Sequence, residues 1–170
     1  MTKQLNKKGT SLVELIAVIV IMGIIAGIAI PTTIAVINRQ KKNAAVKSAQ
    51  NVVDAAKSVL LEASTGQEIS YVDADVDDDG NHTYSTTAAD LAENSEIEKD
   101  PSGTVGSGDD AEVGTMTITY VVPSEGTAYY TVELSDGYNI NGVNLYVETE
   151  ANSDGNDVFA EFTTTEPDGD

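Results

Sequence analysis

The chain has few residues whose type and spacing could do chemistry. The run Asp75-Val76-Asp77-Asp78-Asp79-Gly80 opens like a calcium loop. Oxygen ligands stand at alternate positions Asp75, Asp77 and Asp79, and a glycine stands at the turn. A full loop of that kind closes with a bidentate glutamate eleven residues after its first ligand. That position is Thr86, so the motif is incomplete. The alternative is a solvated acidic loop. Calcium at Asp75, Asp77 and Asp79 is the one cofactor the sequence raises, and no other is expected. His82, the single histidine, shares this polar stretch and has no catalytic partner nearby in sequence. Asn81-His82-Thr83 matches a glycosylation triplet, a pattern frequent by chance. Cysteine is absent, which removes disulfides, zinc–thiolate sites and a thiol nucleophile. No phosphate-binding glycine loop or nucleophile elbow occurs, so no enzyme is expected. The last chemically pointed residue is Glu14, an acid set inside an apolar run.

The elements around these residues follow from charge and periodicity. Residues 1–57 hold eight of the nine basic side chains and two of the 28 acids. The remainder carries Lys99 alone against 26 acids. So acidic a head repels nucleic-acid phosphates and argues against direct nucleic-acid binding. From Leu12 to Ile37 the only charged residue is Glu14, and Leu15 to Ile30 is unbroken LIAVIVIMGIIAGIAI. A membrane-spanning helix needs roughly 20 apolar residues, which this segment exceeds. A secretory signal would carry a small-residue cleavage site after the apolar run. Here Pro31, Asn38 and a basic stretch follow instead. An ionised carboxylate in hydrocarbon is costly unless paired, so Glu14 reads as functional. Gly23 and Gly27 form a small-x-x-x-small pair of the kind that lets helices approach closely. Basic residues flank the span on both sides, so charge alone does not orient it.

Past Asn38 the pattern stays helical. Ala45, Val46, Ala49, Val52, Val53, Ala56, Val59, Leu60 and Ala63 recur at three- and four-residue steps, and the stop is expected near Ser64-Thr65-Gly66. A continuous helix over residues 10–63 would reach roughly 80 Å at 1.5 Å per residue. Pro31 removes one backbone donor and is expected to kink it. Arg39, Lys41, Lys42, Lys47 and Lys57 form either a solvated face and membrane flank, or a basic zone that meets acidic heads of neighbouring copies. Residues 67–114 read as loop-rich, with a short helix from Thr87 to about Asn94 capped by Thr87 and Asp90. Four strand-like runs follow: Met116–Val122, Tyr130–Leu134, Val143–Glu148 and Val158–Phe162. The alternation within them predicts an antiparallel meander with one buried face. Val158, Ala160 and Phe162 are expected on one side, Phe159 and Glu161 on the other.

The segment KKGTSLVELIAVIVIMGIIAGIAIP resembles the N-terminal signature of the type IV pilin family, which includes pseudopilins. The match covers residues 7–37 closely and the polar helix more loosely. It implies cleavage by a prepilin peptidase between Gly9 and Thr10 on the cytoplasmic side, followed by N-methylation of Thr10. It also implies pairing of Glu14 with the terminal amine of a neighbouring subunit, and Pro31 falls where the family has a proline. Cleavage would expose an α-amine of pKa about 7.7–8.0 at the edge of an apolar helix, for which Glu14 is the acid at hand. The chain departs at Thr10, where the family usually has phenylalanine or another apolar residue.

The resemblance implies an α+β pilin fold, with a long N-terminal helix whose apolar half protrudes and whose other half packs on an antiparallel sheet of about four strands. The expected organisation is a leader over 1–9, a membrane and fibre-core helix over 10–37, an amphipathic helix over 38–65 and an acidic head over 66–170. The implied function is a structural pilus subunit in adhesion, motility or biofilm. The alternative is a minor pilin or a pseudopilin of a type II secretion or competence system. Implied partners are other copies of the chain, the peptidase, a membrane assembly platform with its motor ATPase, and membrane lipid before assembly. The implied location is the cytoplasmic membrane and then an extracellular filament, and the missing cysteines suit a Gram-positive source.

Overall fold

Apolar residues run on or recur at helical spacing from residue 12 to residue 63, and over them the chain forms one helix. In this computed structural model, residues 12–105 and 112–166 are described, with backbone only for 29–32. Helix α1 spans Leu12–Ser64, 53 residues, and continues across Pro31. It stops where expected. Thr65 and Gly66 donate to the carbonyls of Glu62 and Ala63, and Gly66 takes a φ of +99°, which a side chain would resist.

The chain divides into two compact units, Met1–Gln40 and Lys41–Asp170. In the first, the large apolar side chains of α1 stand in the open, from 45 % exposed at Ile37 to 73 % at Leu12. This part of α1 is long and apolar enough to cross a membrane. In the second, the expected stripe is buried: Ala45, Ala49, Val52, Val53, Ala56, Val59, Leu60 and Ala63. Alanine stands at four of these eight positions. The branched residues supply most of the burial, at roughly 1.5–3 kcal/mol each.

Opposite this stripe lies a four-stranded antiparallel sheet. Its strands are β1 (Asp73–Val76), β2 (His82–Thr87), β5 (Met116–Val122) and β6 (Tyr129–Leu134), in that spatial order. Met116, Ile118 and Val132 point into the core with Thr86. Tyr84, Tyr120 and Tyr130 are consecutive cross-strand partners and extend the same face, with the Tyr120 and Tyr130 rings stacked at 4.5 Å. The other face carries Thr83, Ser85, Thr117, Thr119 and Thr131, as the alternation requires.

Between β2 and β5 lie the short helix α2 (Ala88–Glu93) and the two-residue strands β3 (Thr104–Val105) and β4 (Glu112–Val113). Thr87 caps α2 by accepting the Asp90 N–H, as its sequence signature required. Ala88 and Leu91 join the core.

The arrangement is the expected α+β one, but the sheet draws on different strands. β1 and β2 come from the stretch read as loop. β1, Asp-Ala-Asp-Val, is exposed throughout, and β2 turns only Tyr84 and Thr86 inward, so neither carries apolar alternation. The run Val143–Glu148 is not one strand. Asn141 and Gly142 both take positive φ, 52° and 75°, and form a tight turn that pairs β8 (Val143–Asn144) with β7 (Asn139–Ile140). Buried Leu145 then separates β8 from β9 (Tyr146–Ala151).

β9 pairs with β10 (Asp157–Thr163) as a separate two-stranded ribbon. The pairing shifts between Phe159 and Glu161, a bulge at Ala160. The expected alternation fails at that point. Ala160 is exposed, while the rings of Phe159 and Phe162 meet at 4.9 Å on one side.

Candidate assembly helix and acidic hairpin

Two regions carry the residues singled out in the sequence. The first is the start of α1. Gly9 and Thr10 lie outside the described residues. Glu14 sits in the first turn of α1 and is exposed. Gly23 and Gly27 have open space where a Cβ would stand, so among the described residues nothing packs against them there.

The second region is the acidic run, which is the β1–β2 hairpin turn. Asp77 N–H donates to the Asn81 carbonyl, and Gly80 N–H donates to that of Asp77. Asp77 Oδ1 accepts from the N–H groups of Asp79 and Asn81, both at 2.9 Å. Its Oδ2 accepts from the Asn81 side-chain amide at 2.8 Å. Gly80 supplies the φ of +79° that the turn needs. The hydrogen bonds from Asn81, with lesser help from Asp79 and Gly80, hold the Asp77 carboxyl below the usual aspartate range against an opposing desolvation.

Asp75 is spent locally too, with its Oδ1 accepting the Val76 N–H at 2.9 Å. Asp77 therefore organises the backbone. Among the described residues no group of three or more acidic, histidine or cysteine side chains converges to hold a metal ion. His82 is the first residue of β2 and exposed.

The same turn occurs a second time, at Asp154-Gly155-Asn156, where the sequence marks a gap between strands without showing the likeness to the first. In the β9–β10 hairpin, Asn152 Oδ1 accepts from the N–H groups of Asp154 and Asn156, both at 2.9 Å. The backbone bonds between Asn152, Gly155 and Asn156 repeat those of Asp77, Gly80 and Asn81. The common pattern, Asp or Asn, any residue, then Asp-Gly-Asn, is legible at 77–81 and 152–156. Each turn then reaches the loop between β5 and β6. Asn81 Oδ1 accepts the Ser124 N–H at 2.9 Å, and Asp154 Oδ2 accepts the Thr127 N–H at 3.0 Å. Three turns are thus fastened at one end of the head.

Other polar contacts stabilise the head rather than form a site. Tyr71 donates to Glu96 Oε1 at 2.8 Å, and burial followed by that bond pushes its hydroxyl up to about 12. Buried Tyr138 hydrogen-bonds Ser102 Oγ, and burial raises its hydroxyl too. A cleft of about 450 Å³ lies between Leu134–Tyr138 and Asn144–Val147, with Asp136 and Glu166 as its acidic side chains. Among the described residues no basic or histidine side chain lines it. Comparison with protein-family models, curated proteins and solved structures finds no match.

Proposed function

We propose that this chain is the structural subunit of a type IV pilus, made as a membrane-anchored precursor and polymerised through α1. The observation that carries this reading is how α1 divides along its length. Its first half shows apolar side chains on every side, and its second half buries only one stripe, under the sheet. A helix apolar all round needs lipid or other such helices around it. The leader with Gly9, the acid at Glu14 and Pro31 supply the resemblance that selects a pilin over a plain anchor.

In this reading the leader faces the cytoplasm, where a prepilin peptidase cuts the Gly9–Thr10 bond. The freed Thr10 amine, N-methylated, pairs with Glu14 of a neighbouring copy as α1 leaves the bilayer. Two groups that are each costly in an apolar bundle become a register mark. The assembly platform and motor ATPase drive extension, and the acidic heads form the extracellular surface that serves adhesion, motility or biofilm.

The test is co-expression of the full chain with a prepilin peptidase. Loss of the nine-residue leader, blocked by Gly9→Val, is the expected result. An uncut chain in the presence of active peptidase would refute the reading.

A further inference from the structure

Where the head-covered stripe of α1 ends, the same side of the helix turns basic and bare. Ala45 and Ala49 are buried beneath the head. Lys41 and Lys42 stand four and three residues before Ala45, so they continue that stripe by one turn. Both are exposed, as is Arg39. Between residues 12 and 57 the only acids are Glu14 and Asp54, so no carboxylate within a helical turn neutralises the three cations.

The complementary charge stands on the outer side of the β9–β10 ribbon. Glu148 and Glu161 are directly opposed across the strand pair, and Glu150 lies two residues along on the same side. All three are exposed. Like charges directly opposite one another destabilise a strand pair. Neither strand carries a basic residue, and from residue 58 onward Lys99 is the only one. The ribbon's inner side is occupied by Phe159 and Phe162, so the carboxylates cannot turn inward for relief.

We infer that Lys41 and Lys42 of α1 dock on the outer β9–β10 face of a second copy, Glu148, Glu150 and Glu161. The contact is heterologous, a helix of one copy against a ribbon of the next, and such a contact gives an open filament wherever its rotation does not close a ring. Charges brought together in this way fix register and speed encounter. The inference rests on the filament reading.

Charge exchange in the full chain tests it, with sheared surface fibres as the readout. Lys41→Glu with Lys42→Glu, and separately Glu148→Lys with Glu161→Lys, are each expected to lower fibre yield about tenfold or more. All four together are expected to restore most of it. Fibres of normal yield from either pair would overturn the docking and leave the filament reading intact. Loss without restoration would assign the basic turn to anionic lipid or another partner, and would also overturn it. A wild-type chain that is cleaved yet forms no fibres would overturn the filament reading itself.

Because the chain has no cysteine, a cross-link gives a second measurement independent of yield. Lys42→Cys with Glu161→Cys in one chain is expected to oxidise to a ladder of multimers. Dimers only, or no cross-link in fibres that do form, would contradict the contact.

Discussion

The ammonium of Lys57 lies 5.3 Å from the ring centroid of Tyr130, with the ring of Phe159 at 5.9 Å. One residue of α1 therefore touches both the four-stranded sheet and the β9–β10 ribbon. Its neighbours Ala56, Val59 and Leu60 are in the core, so the stem is held and the charge is aimed. A half-buried cation over two rings contributes about 1 kcal/mol. In urea unfolding, Lys57→Ala is expected to lower the stability by about that free energy, with a lower midpoint at unchanged m-value, and Lys57→Arg to retain most of it. An unchanged midpoint in Lys57→Ala would make the contact incidental.

The β1–β2 turn makes a pH prediction with a definite sign. The Asp77 carboxyl is held below its ordinary range by hydrogen bonds. Its contribution is fully present above the ordinary aspartate pKa and is lost as pH falls through the lowered value. Asn152 fills the same role in the β9–β10 turn as a neutral residue. Asp77→Asn should therefore keep the turn and flatten the acid limb of a stability–pH profile. An acid limb unchanged from wild type would count against this account of Asp77.

At the opposite extreme of pH, the bond from Tyr71 to Glu96 sets the expectation. The Tyr71 hydroxyl is pushed up to about 12 from an ordinary 10.0. Its stabilisation is complete below pH 10 and is lost as pH rises through about 12. In difference titrations of tyrosinate absorbance against Tyr71→Phe, the missing step should fall near the upper value. A missing step at the ordinary value would refute it.

Gly126 reports on the fastening of the three turns. Its φ is +108°, and an added Cβ would stand 2.9 Å from Asp154 Oδ2, the atom that accepts from Thr127. Gly126→Ala combines backbone strain with loss of that bond, together about 2 kcal/mol. Asn81→Ala, on the other side of the loop, should cost about 1 kcal/mol through the Ser124 and Asp77 bonds. Urea melts of the two variants check both figures, and near-wild-type melts would mean the loop holds itself.

The helical part of this molecule was legible because its signal is long. The stripe from Ala45 to Ala63 and the stop at Gly66 stand in the residues themselves, and so does the Thr87 cap. The strands Met116–Val122 and Tyr129–Leu134 alternate clearly. β1 and β2 were illegible because backbone pairing, β2 with β5 and β1 with β2, rather than apolar alternation, recruits them to the sheet. The bulge at Ala160 and the Asn141-Gly142 turn shifted or cut patterns that looked regular. At the candidate site, the aspartates at 75, 77 and 79 matched a ligand spacing, but Asp75 accepts a backbone N–H and Asp77 accepts backbone N–H groups and the Asn81 amide within the turn. The second copy of that turn, at 152–156, was visible in sequence and needed only comparison with the first.

Glu14 gives the assembly proposal its sharpest mutational handle. A terminal amine buried in a helix bundle without its carboxylate loses several kcal/mol. Glu14→Ala should be cleaved normally and be found in membranes, with surface fibres reduced by at least about tenfold. Normal fibre yield would dismiss Glu14 as the register group.

The most direct test of the filament account is the mass of the protein in sheared surface fibres. The account predicts that the abundant species begins at Thr10, with or without one methyl group, and runs to the end of the head. Fibres in which the chain is only a trace would make it a minor subunit. A chain that keeps Met1 to Gly9, or that stays wholly in the membrane fraction, would contradict it.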